Sequence, residues 1–238
     1  LSLAIGLGLG ASIGFSGTVS AEEVFVPLIS KGFQHQFWQA VKSGADQAGK
    51  DLNVKVTFEG PESEAMVDKQ IDMLSAAIAK KPAAIGYAAL DAKAAIPLLK
   101  KAQAAKIPVI CFDACVDSDI PLTLAATDNV AASAHAADKM AELIGGSGEV
   151  AYLGSDQTQT TGITRRDGFM NRMKEKYPNI KVVSMQFGGG DHLKSTEIAK
   201  TVMQANPNLK GYYGSNEGSI VGVINAAKEM NRKLVIVG

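Results

Sequence analysis

The sequence predicts an α/β protein of two Rossmann-like lobes, each built on a parallel sheet flanked by helices. Short apolar runs alternate with helical stretches from Val24 to Gly238. Those runs are almost continuously apolar, as strands covered on both faces are. The alternation breaks once, where two strand-like runs, 107–113 and 122–128, follow each other with only a loop between them. That break marks where the chain leaves one sheet for the next. It divides the chain into an N-terminal lobe at 22–126 and a C-terminal lobe at 127–238.

The elements follow in order. VFVPLIS (24–30) is a strand and 37–52 a helix; VKVTFEG (54–60) alternates as a strand does. Residues 64–80 form a helix with Met66, Ile71, Leu74 and Ile78 on or near one face. A short buried strand at 82–89 and a helix at 92–106 precede the two consecutive strands. The helix 130–144 stops at Gly145-Gly146. Strand 148–155, helix 162–177 closed by Pro178, strand 181–189 and helix 193–205 stopped by Asn206-Pro207 come next. Strand 209–215, helix 219–231 and strand 233–238 complete the second lobe.

The chain has 238 residues, 46% of them hydrophobic, and 24 basic side chains balance 24 acidic ones. That balance offers no footprint for a nucleic acid partner. Residues 1–21 are apolar, uncharged and end in Val19-Ser20-Ala21. They read as an export signal peptide cleaved after Ala21. Gly6, Gly8, Gly10 and Gly14 argue against a spanning helix. No Cys lies near the cut, which disfavours a lipid anchor. The two cysteines, Cys111 and Cys115, are read as small buried residues. Pairing in an exported protein stays open, though it requires Cα atoms within about 7 Å. No metal site is expected, because no His or second Cys pair stands near them at ligand spacing.

Ligands of open α/β sheets bind outside the carboxyl ends of the strands. There the sequence places Ser30, His35, Phe37 and Trp38, then Asp113, Thr127-Asp128-Asn129, Arg165 and Arg166, and finally Asn216 and Glu217. These are the groups a sugar needs. Its C–H face packs on an aromatic ring, and its hydroxyls meet an acceptor carboxylate and the forked donors of Arg. Structural roles compete with some of them. Phe37 and Trp38 can form a hydrophobic staple, Asp128 an N-cap, and Arg166 an ion pair with Asp167 or Glu175. His135 reads as a helix residue and His192 as a loop residue. FGGGDH (187–192) lacks the Lys-Ser/Thr of a phosphate loop and reads as a turn.

Four stretches carry a resemblance: ISKGFQHQFWQAVKSGADQAG, IPVICFDACVDSDIPLTLAATDN, TGITRRDGF and GYYGSNEGSIVGVINAAKE. In this order and spacing they resemble the periplasmic sugar-binding proteins of ABC transporters, the ribose-type branch, whose fold LacI-type repressors share. The resemblance runs from about Val24 to the end of the chain. It implies type I periplasmic-binding-protein architecture and a ring-sandwiching aromatic pair, Phe37 and Trp38. On this reading Trp38 is a stacking platform and not a core residue. It also implies ligand contacts from Asp113, Arg165 and Asn216. Ala114 stands where the branch has Arg, Ala88 where Asn is expected, and His35 where an Asn-Pro loop is common. Ribose is therefore no more expected than another pentose, a hexose or a polyol. The last strand of the family leads to a further sugar-contacting Asp and back to the first lobe. The resemblance thus implies that a C-terminal part is missing and that apolar surface of the first lobe faces water.

Three function classes compete. A monomeric periplasmic solute-binding protein would work without cofactor and deliver a sugar or polyol to the membrane permease of an ABC importer, with a chemoreceptor as a further partner. A repressor core or sensing domain shares the fold, but here an apolar leader stands in place of a helix-turn-helix. A sugar-modifying enzyme would use Asp113 and Glu217 as an acid/base pair, and nothing beside them supplies a nucleophile.

Overall fold

A computed structural model describes residues 24–238. The proposed signal peptide lies outside the described residues. The first sheet holds β1 (Phe25–Ile29), β2 (Lys55–Glu59), β3 (Ile85–Tyr87), β4 (Val109–Phe112) and β5 (Leu124–Ala125), in the order β2-β1-β3-β4-β5. The second holds β6 (Gly148–Gly154), β7 (Ile180–Phe187), β8 (Leu209–Gly214) and β9 (Val235–Val237), in the order β7-β6-β8-β9. Every pairing between these strands is parallel. In both sheets the order reverses beside the first strand, which opens a crevice at its carboxyl end.

The helices are α1 (Gln36–Leu52), α2 (Val67–Ala79), α3 (Ile96–Ala104), α4 (Asn129–Leu143), α5 (Thr160–Lys176), α6 (His192–Ala205) and α7 (Glu217–Glu229). Two begin later than the sequence predicts. At Asp91 the side chain accepts from the N–H groups of Lys93 and Ala94, both at 2.8 Å. This local turn delays α3 until Ile96, with Pro97 in its first turn. Before α2, Ser63 holds a turn through Met66 N–H and Ala65 N–H, and Glu64 is left free to reach Trp38. Asp128 caps α4 by accepting from Ala131 N–H at 3.0 Å. Gly145 and Gly146 end that helix at φ of 77° and 74°, a conformation open to residues without Cβ.

On β6 successive residues serve opposite layers. Val150 and Tyr152 join the core under α4 and α5, while Ala151 and Leu153 join the core under α6 and α7. This is why the strand is apolar at each position from Val150 to Leu153. Asp138 ties α4 to α5 by accepting from Arg172 and from the Tyr177 hydroxyl, and these bonds hold its carboxyl well below the usual carboxylate range. The first sheet packs Ile29, Ile85 and Val109 against Leu74 of α2 and Leu99 of α3. Its other face is less covered: Ile110 is 39% exposed.

Gln70, fully buried on α2, organises the carboxyl ends of β1 and β3. Its amide donates to the carbonyls of Ser30 (2.9 Å) and Ala88 (2.7 Å). Its oxygen accepts from the Tyr87 hydroxyl (2.7 Å) and Leu90 N–H (3.0 Å). One side chain thus satisfies four groups that leave the sheet.

Cys111 and Cys115 are joined as a disulfide, with Cα atoms 5.3 Å apart, which corrects the reading of two unpaired buried thiols. Asp113 lies between them at φ of 60°. Its short polar side chain tolerates this left-handed conformation, which folds the loop back and brings the two cysteines together. Replacing both cysteines by Ala should lower stability by about 2 kcal/mol, the loop entropy of so short a ring. It should also weaken ligand binding several-fold by releasing Asp113. Calorimetric affinity equal to that of the unmodified protein would show that the bridge does not position Asp113.

Candidate functional site

A cavity of about 220 Å³ lies between the carboxyl ends of the two sheets. From the first lobe it is lined by residues that follow β1, β2 and β4; from the second, by residues that follow β6 and β8 and by α5. Of the residues expected at the strand ends, His35, Phe37, Trp38, Asp113, Arg165, Asn216 and Glu217 line it. Ser30 does not. Its hydroxyl is used on the carbonyls of Gly32 (3.1 Å) and Glu59 (3.2 Å), where it shapes the loop after β1.

Trp38 is buried completely, whereas Phe37 is 47% exposed. Their rings meet edge to face with centroids 4.9 Å apart, which leaves no space for a sugar ring between them. The expected sandwich is thus absent, and Trp38 is at once core and cavity wall. Its indole N–H donates to Glu64 Oε1 at 2.8 Å and its ring packs edge-on against Phe112.

Lys31 was not legible as a site residue. It is 5% exposed, and its ammonium lies 3.0 Å from Asp113 Oδ2. It also donates across the cleft to Gln159 Oε1 and Thr161 Oγ1, each at 3.2 Å. Asp113 Oδ2 has no hydrogen bond of good geometry despite the ion pair, so it retains capacity to accept. A Lys two residues past a buried strand is the only signal the sequence offered. Arg165 is held by two bonds, Nε to Asn129 Oδ1 (2.7 Å) and Nη1 to the Ser215 carbonyl (2.9 Å). Behind it the Tyr152 hydroxyl donates to Ser215 Oγ, and burial pushes that phenol up to about 12. Arg166 instead pairs with Asp167 at 2.7 Å. Asn216 caps α7 through Ser219 N–H, and its amide nitrogen remains available to a ligand.

The lobes touch at the cavity rim. Both Glu217 oxygens accept from the first turn of α1, from Gln36 N–H (3.0 Å) and Phe37 N–H (3.2 Å), where a helix favours negative charge. Gln34 donates to the Gly190 carbonyl. The FGGGDH stretch is a turn, with Gly189 and Gly190 at φ of 68° and 73° and Asp191 capping α6. A side chain at Gly218 would collide with the Gly190 carbonyl, so that glycine lets the turn lie against α7. As a result His192 is no simple loop residue. Its ring stacks on that of His35 with centroids 5.4 Å apart.

The profile of the periplasmic binding protein domain matches residues 25–238. The chain is 26% identical over 227 residues to a D-apiose import binding protein of Actinobacillus succinogenes, covering 95% of this chain and 72% of the relative. It is 27% identical over 221 residues to the D-allose-binding periplasmic protein of Escherichia coli, covering 89% of this chain and 71% of the relative. A carbohydrate transporter solute binding protein from Agrobacterium radiobacter, solved with D-arabinose, superposes with a TM-score of 0.85 at 34% identity, covering 89% of this chain and 73% of the other. The profile spans both sheets and the loops that line the cavity between them, and the chain belongs to the periplasmic binding protein domain family.

Proposed function

We propose that this protein captures one neutral monosaccharide or polyol between lobes 22–126 and 127–238 and delivers it to the permease of an ABC importer. The observation that carries the reading is the cavity itself, where groups from both sheets converge. Lys31 and Arg165 face Asp113, Glu64 and Glu217, a nearly balanced set that favours an uncharged, hydroxyl-rich ligand over an anion or cation. Its volume of about 220 Å³ is below the roughly 300–1,000 Å³ of pockets for drug-sized ligands. The sugars named for the relatives fit that size class. Trp38 offers a wall for a C–H face, Asp113 an acceptor for hydroxyls, and Arg165 and Asn216 donors from the opposite lobe. Family membership supports a periplasmic location, reached by export with cleavage after Ala21. The acid/base reading is weaker, because Glu217 is engaged by two backbone N–H groups and Asp113 by Lys31.

The only Trp in the chain reports on the site. Screened against pentoses, hexoses and alditols, the purified protein should show a saturable Trp38 fluorescence change and a raised melting temperature with one or a few of them. No response by either measure across the panel would overturn the proposal.

A further inference from the structure

We infer that His35, His192 and Glu217 form a binding site for a divalent transition metal of the zinc type, assembled only when the two lobes meet. His35 follows β1 of the first lobe. His192 and Glu217 begin α6 and α7 of the second. One donor atom from each lies within 4.8 Å of the other two. His192 Nε2 is 3.4 Å from His35 Nδ1, and His35 Nδ1 is 3.9 Å from Glu217 Oε1. Two ligands bound about 2.1 Å from a tetrahedral zinc ion stand about 3.4 Å apart, so little movement separates this arrangement from a coordination sphere.

The donor set selects the ion. Two imidazoles and one carboxylate suit zinc, cobalt or nickel, whereas calcium and magnesium prefer all-oxygen sites. Three protein ligands leave one position for water. The surroundings fit as well. A metal on His35 Nδ1 requires the ring proton on Nε2; that nitrogen lies 3.9 Å from Glu64 Oε1 and 3.2 Å from the Gln34 amide nitrogen, so the Gln34 amide must turn aside for the proton to face Glu64. A carboxylate behind a ligating imidazole fixes its tautomer and raises its basicity. Glu64 is itself held by the Trp38 indole. Glu217 Oε1 accepts from Gln36 N–H at 3.0 Å and keeps a second lone pair for the ion. Without a cation, two imidazole nitrogens at 3.4 Å must share a proton or stay unpaired.

A metal that needs donors from both lobes favours the closed form. By reciprocity it raises the affinity of any ligand that also favours closure. This coupling rests on the functional reading above; the metal site does not.

Purified protein stripped with a chelator would be titrated with zinc alone by calorimetry and with cobalt by visible absorption, without sugar. The expected result is saturable binding of one ion per chain, with absorption bands of a tetrahedral nitrogen- and oxygen-ligated cobalt, and none with calcium or magnesium. His192→Ala should weaken zinc binding by about tenfold or more. It should leave sugar affinity in chelator unchanged, because His192 does not line the cavity. A folded His192→Ala protein that binds zinc as before, or an unmodified protein with no saturable zinc binding, overturns the site. A histidine pair that only shares a proton gives that second outcome. Zinc binding with no sugar response anywhere in the panel upholds the metal site and overturns the functional reading instead.

Discussion

Gln70→Leu should destabilise the protein by about 3–5 kcal/mol, because it strands several buried polar groups at roughly 1–3 kcal/mol each. Leu fills most of the volume but bonds none of them. The carbonyls of Ser30 and Ala88, the Tyr87 hydroxyl and the Leu90 N–H all lose their partner at once. The loss is comparable to the whole margin of a typical domain, about 5–15 kcal/mol. Chemical denaturation checks it. A change below about 1 kcal/mol would mean that water or a shifted loop replaces the amide. Ser30 and Ala88 stand directly after β1 and β3, so the variant should also loosen the loops that carry Lys31 and His35 toward the cavity.

Asp113→Ala should weaken sugar binding by at least about tenfold, or about 1.4 kcal/mol. Two effects act together. The sugar hydroxyls lose their acceptor. Lys31, 5% exposed, also loses its carboxylate partner and is left beside the neutral Gln159, Thr161 and the Trp38 ring. Arg165→Ala should behave alike, since it removes the donor held by Asn129 and Ser215. Arg166→Ala should change affinity little, because its guanidinium is already bound to Asp167. Equal affinities for the unmodified protein and Asp113→Ala by calorimetry would remove Asp113 from the site.

The elements were legible because their signals are local. Apolar runs with helices between them specify buried parallel strands, and Gly145-Gly146 specifies where α4 stops. Helix starts were less legible where a side chain intervenes: Asp91 holds a turn that periodicity alone reads as helix. Asp128 as a cap and Arg166 as an ion-pair partner are likewise short-range bonds, visible from three residues or fewer.

By itself the sequence determined two α/β lobes, their order, and a set of ring, carboxylate, guanidinium and amide groups at strand ends. It could do so because strand polarity fixes which loops face the cleft. Only the tertiary structure decided what depends on distances between remote residues. It closed the Cys111–Cys115 bridge through the left-handed turn at Asp113. It put Lys31 on Asp113, turned Ser30 inward, and set Trp38 edge-on to Phe37 instead of across a ring. It brought His192 to His35 across 157 positions of sequence. Spacing along a chain cannot report such a meeting, because packing of one lobe on the other, and no local pattern, sets it.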